Sequence, residues 1–130
     1  MLNNTGITKV SAVAPNQILF FAEPQVSVSV IVNNTGIDAG DDGKKIIKAG
    51  TPITGDLTAR GTAFTKASTT EGVSNAVGVL LHDVDVTAGN NNGTLLLFGF
   101  VDLDKLDTAT AALITTEAKA ALKGGVTFLK

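Results

Sequence analysis

His82 is the single histidine of a 130-residue chain that has no cysteine. Acid–base or nucleophilic chemistry would therefore have to be built around it or around carboxylates. Its nearest orienting groups are Asp83 and Asp85. Side chains alternate along a strand, so both aspartates are expected on the face opposite His82. No G-x-S-x-G elbow supplies a serine nucleophile, and the sequence marks no distant partners for a triad. The plainer reading is a structural or surface histidine. Asp38, Asp41 and Asp42 followed by Gly43 invite a calcium reading. An EF-hand loop starting at Asp38 would need oxygen ligands at positions 3 and 12, where this chain has Gly40 and Ala49. The segment reads instead as a solvated acidic turn. Asp83, Asp85, Asp102 and Asp104 flank an expected hairpin and could supply a carboxylate dyad, but a glycosidase sets its pair about 5–9 Å apart in a cleft. Neither a cleft nor its aromatic walls is marked. Phosphate-cradling glycine motifs are absent from the sequence. The expectation is a non-enzyme: catalytic residues none, cofactor-binding residues none, metal ligands none.

Composition narrows the class further. The net charge is −2, from ten basic and twelve acidic residues spread along the chain, without the clustered Lys/Arg footprint that phosphate binding requires. No direct nucleic-acid contact is expected. The longest early apolar stretch, Ile18-Leu19-Phe20-Phe21-Ala22, is far shorter than the ~20 residues that span a bilayer. Lys9 is the only lysine before it, and the small residues precede the apolar run, where a signal-peptide cleavage site would follow it. The chain is expected to be soluble, made in the cytoplasm and without membrane contact. The Asn-x-Thr matches at Asn3, Asn33 and Asn92 then read as turn chemistry. Six phenylalanines are the only aromatics, which disfavours the Trp- and Tyr-built platforms that bind sugars.

The spacing predicts a mostly β fold, as a small β-barrel or β-sandwich, with one or two short helices near the C-terminus. Residues 1–24 stand apart, with polar turn residues, two prolines and one apolar patch lacking a sustained period. Two readings stay open: a first edge strand ending at Pro24, or an arm that orders against a partner. A single β-rich domain then covers residues 25–130. Val26, Val28 and Val30 alternate with Ser27 and Ser29 in a β-branched strand. Ile46 and Ile47 mark a short strand, and Pro52 argues for an edge or bulge position. Residues 54–75 hold few large apolar groups (Leu57, Phe64 and Val73) and read as surface loop with short strand pieces. Residues 76–86 and 94–103 form two strands with apolar residues on both faces, joined by Gly89-Asn90-Asn91-Asn92-Gly93. Such strands lie between two layers. Asp104 is expected to cap a short helix carrying Leu106, Ala109 and Leu113, and Thr115 or Thr116 a second one through Leu122. Gly124-Gly125 stops it, and residues 126–129 return to the sheet.

At the hairpin the sequence resembles a known family. Gly78-Val79-Leu80-Leu81-His82-Asp83-Val84-Asp85-Val86-Thr87-Ala88-Gly89, an apolar strand, and Gly99-Phe100-Val101-Asp102-Leu103-Asp104-Lys105-Leu106 are similar to the core of bacteriophage capsid decoration (cement) and head fibre proteins. Ala49-Gly50-Thr51-Pro52-Ile53 matches at the same relative place, and residues 117–129 are closer to head fibre proteins than to lambda-type decoration proteins. The likeness covers about residues 44–130, while residues 1–43 match no family pattern. It implies a trimer on the exterior of the expanded capsid, clamping the major capsid protein against internal pressure. By that analogy residues 1–24 are the capsid-binding element, with Ile18, Leu19, Phe20, Phe21 and Pro24 as its contacts. The alternative is a phage tail, baseplate or receptor-binding module. The expected location is the virion exterior, after synthesis in the host cytoplasm.

Overall fold

The computed structural model describes residues 18–130. Its organising element is the long strand β9 (Asn91–Asp102). The first strand, β1 (Leu19–Val32), runs antiparallel along nearly all of it, pairing Val28 with Leu95 and Val32 with Asn91. β7 (Gly78–Leu80) lies antiparallel to β9 as well, and β3 (Pro52–Thr54) and β4 (Thr65–Lys66) extend the sheet in the order β1-β9-β7-β3-β4. The last strand, β10 (Val126–Leu129), joins β9 in parallel at Gly99 to Asp102. Two small ribbons complete the strands: β2 (Ile46–Ile47) with β8 (Val84–Asp85), and β5 (Thr69–Thr70) with β6 (Val73–Ser74). Glu71 and Gly72 join β5 to β6 with φ of 52° and 78°, the positive pair that a tight primed turn needs. The fold is mostly β, and among the described residues the sheet is open.

Apolar residues on both faces of β7 and β9 separate two cores. The cross-strand pair Val79–Leu96 belongs to one, with Ile18, Leu19, Ala49, Leu81, Val101, Leu106, Ile114, Ala118, Leu122 and Val126. The next pair, Leu80–Leu95, faces the other, with Val30, Val32, Ile47, Ile53, Phe64, Val84 and Val86. Opposite faces follow from the two-residue period of a strand. Burying each such side chain contributes about 1.5–3 kcal/mol, so this one pairing ties both cores to the same backbone.

The sequence-based expectations for the strands need four corrections. The domain boundary at residue 24 falls inside β1, which begins six positions earlier than Gln25 (25 − 19). Strand 76–86 is broken: β7 ends at Leu80, the chain bends at Leu81 to Asp83, and β8 pairs with β2 in a separate ribbon. The loop 89–93 is shorter than expected, because Asn91, Asn92 and Gly93 pair with Val32, Ile31 and Val30. Pro52 is on an interior strand, between β7 and β4, where it is tolerated as the strand's first residue.

The helices are short. Asp102, rather than Asp104, caps the 3₁₀ turn at Leu103–Lys105, accepting from the Asp104 N–H. α1 (Thr108–Ala111) starts after Asp107 without a side-chain cap. α2 (Thr116–Ala121) starts at Thr115, whose hydroxyl oxygen accepts from the Ala118 N–H at 3.1 Å. Gly124, at φ 91°, turns the chain back toward β10. Among the described residues no helix is long and apolar enough to cross a membrane.

Candidate functional site

Five exposed or half-exposed apolar side chains gather where β1 meets the C-terminal half of β9. Phe21 pairs with Phe100 and Val26 with Phe98, so β1 spends five residues (26 − 21) against two on β9 (100 − 98). The extra residues bulge out, with a cis Glu23–Pro24 peptide bond. Bulges on edge strands bend the strand and re-aim its side chains. Here the rings form a continuous ladder. Phe20 and Phe21 have centroids 4.8 Å apart at 75°, Phe21 and Phe100 5.5 Å at 81°, and Phe98 and Phe100 6.3 Å at 79°. Phe20 is 40% exposed, Phe21 49%, Val26 53% and Phe98 39%. Together these groups leave roughly 300–400 Å² of apolar surface open, a size that on a single subunit often marks a docking site.

Buried neighbours hold the ladder in place. Ile18 and Leu19 insert into the first core. The Ile18 carbonyl accepts from the Asp102 N–H at 2.8 Å, and the Lys105 ammonium donates to the Leu19 carbonyl at 3.0 Å. The capsid-binding set named from sequence is thus divided. Ile18 and Leu19 are core, whereas Phe20, Phe21 and Pro24 are exposed. Residues 1–17, the rest of the expected arm, lie outside the described residues. Phe98, Phe100 and Val26 complete the face and were not singled out as site residues. Their only sequence signal, Phe98 and Phe100 at i and i+2, is the same one that buried strand residues give.

The candidate chemical groups are engaged separately. His82 is exposed at the bend after β7, so strand alternation does not govern its neighbours. Asp83 accepts from the Ala49 N–H at 2.7 Å and lies 3.8 Å from the Lys48 ammonium. Asp85 accepts from the Thr87 N–H at 2.9 Å. Asp42 accepts from the Lys44 N–H at 3.0 Å, as a turn aspartate does. Asn33 similarly accepts from the Thr35 N–H at 3.1 Å. Among the described residues no group of three or more His, Asp or Glu side chains is placed to hold a metal ion.

Two exposed carboxyls are held below the ordinary aspartate range. The Thr87 hydroxyl, then its backbone N–H, stabilises the Asp85 carboxylate, and Thr58 does the same for Asp56. With the folded pKa the lower one, the stabilisation is present above the unfolded value and is lost as pH falls through the folded value. In an NMR titration Asp85 is expected to protonate at lower pH than a model aspartate, and Thr87→Val to move it back. An unmoved midpoint would show that the hydroxyl does not hold the carboxylate.

No protein-family model matches the chain, and no curated protein matches it.

Proposed function

We propose that this chain is a structural, non-enzymatic virion protein that binds the outer surface of a tailed-phage capsid and stabilises the expanded head. It acts as a homotrimer on the major capsid protein, after synthesis in the host cytoplasm. Two things support the reading. One is the resemblance of residues 44–130 to capsid decoration and head fibre proteins, carried by the order of the motifs around Pro52, His82 and Phe100. The observation that carries most weight is the aromatic face, an apolar surface held open across β1 and β9 that supports a protein working as one part of an assembly rather than alone. Exposing several large rings costs solvation that a docked state recovers.

The first 24 residues are the capsid-contacting element in this reading. Ile18 and Leu19 act as its root in the core, and Phe20, Phe21 and Pro24 are its exposed members. Main-chain bonds along such a segment contribute only ~1 kcal/mol each, so three arms acting together supply the affinity. The test is co-sedimentation with purified expanded heads stripped of this protein, with density located by cryo-microscopy. The full chain is expected on the shell, and a chain beginning at Ile18 is expected to fold but to stay in the supernatant. His82→Gln is expected to bind as the full chain does. Density on tails alone, or heads that never retain the full chain, would overturn the reading.

A further inference from the structure

We infer that the aromatic ladder of Phe20, Phe21, Phe98 and Phe100 is the contact between copies of this chain. The inference rests on the reading above that the protein works as an oligomer, and it names the surface responsible. A second copy fits this face for three physical reasons.

The first is quadrupole complementarity. Successive rings stand nearly perpendicular, at 75°, 81° and 79°, so the ladder alternates positive ring edges with negative ring faces. A surface that carries both halves of the edge-to-face interaction is complementary to another copy of itself. Charge is the second. On β1 Glu23 is the only ionisable side chain between residues 18 and 28, and the Lys105 ammonium lies at the Leu19 carbonyl, so each copy brings one charge of each sign and little net like-charge repulsion. A basic partner would find one carboxylate to pair with, at the bulge.

Area is the third. Roughly 300–400 Å² of exposed apolar surface is about half of the ~800 Å² that each partner contributes to a stable interface. That is the proportion expected of an apolar interface core ringed by polar groups, and Glu23, Pro24, Gln25 and Ser27 stand exposed at its border. The rings are also fixed before contact, by the pairing of Phe21 with Phe100 and of Val26 with Phe98, so association orders little that was mobile. In a trimer the face would have to lie at the three-fold axis, where the patches of three subunits converge and each is covered by its two neighbours.

The test uses the isolated full-length chain without heads. Its mass is measured by analytical ultracentrifugation from about 1 to 100 µM, a range that spans typical subunit affinities. The double substitution Phe21→Ser with Phe98→Ser removes two exposed rings, and circular dichroism checks that it still folds. Each hot-spot ring weakens binding by tenfold or more, so the pair is expected to raise the dissociation constant about a hundredfold. Because the chain has no tryptophan, Phe98→Trp adds a single reporter, whose emission is expected to shift to shorter wavelength as the oligomer forms. A full chain that stays monomeric throughout, or a folded double variant that associates as the full chain does, overturns the inference. So does an indole emission in the Phe98→Trp variant that shifts only when heads are added, which would make the capsid the occupant. An oligomer lost with the rings, but never retained on heads, supports the inference and sinks the capsid reading instead.

Discussion

A chain that begins at Gln25 is expected to unfold or to melt far below the full chain, whereas one that begins at Ile18 keeps its melting temperature. The seven residues between these two starts carry the difference. Ile18 and Leu19 are buried among Val101, Leu106, Leu122 and Val126, and removing them takes away roughly 3–6 kcal/mol of apolar burial. The Asp102 N–H loses the Ile18 carbonyl, and the Lys105 ammonium loses that of Leu19. Both losses fall on the 3₁₀ turn that leads into α1. A domain of this size is stable by only about 5–15 kcal/mol, so the deletion removes much of the total. Thermal unfolding of the three chains decides the matter. Equal melting temperatures for all three would show that residues 18–24 are dispensable to the fold and belong to an independent arm.

How much of this was legible in the sequence depends on how local the signal was. β10 and the Thr115 cap of α2 were legible because each rests on adjacent residues: an apolar run after Gly124-Gly125, and a threonine before a helical stretch. The two-sided core was legible too, since Leu95 and Leu96 are both large and a strand must send them to opposite faces. That β1 continues through Pro24 was not. Glu23-Pro24 interrupts the alternation, and only the register against β9 shows the strand resuming after a bulge. The break of the first hairpin strand at Leu80 was equally hidden, because Leu81 and Val84 continue the apolar run while the backbone leaves β9 for β2. The aromatic face shows the limit most plainly. A period of two says that Phe98 and Phe100 share a face, but whether anything covers that face depends on which elements pack there. Leu95 and Phe98 have the same kind of neighbours in sequence, yet one is fully buried and the other open.

Phe64 carries the second large expected effect, from a stretch that the sequence marks as surface loop with short strand pieces. Of its three large apolar residues, Leu57 and Val73 are exposed and Phe64 is fully buried. The ring fills the second core beside Val32, Ile53, Leu80 and Leu95. Its backbone closes the outer edge of β1, where the Phe64 N–H donates to the Ile31 carbonyl at 2.7 Å and the Asn33 N–H to the Phe64 carbonyl at 3.0 Å. Phe64→Ala is expected to cost about 3–5 kcal/mol, the usual range for an emptied aromatic site. In a chain of this length that lowers the melting temperature by roughly 10–20 °C. Leu57→Ala and Val73→Ala, on the same segment, are expected to stay within about 0.5 kcal/mol of the parent. Gly55 sharpens the test. A Cβ at Gly55 would overlap the Phe64 ring, so Gly55→Ala forces the ring from its site and destabilises the parent chain. In the Phe64→Ala background the same methyl enters the vacated space, and its cost is expected to fall by about 1–3 kcal/mol. A double-mutant cycle measured by denaturant unfolding reads this directly. Strict additivity of the two substitutions would show that residues 55 and 64 do not touch, and with that the second core would lose its largest side chain.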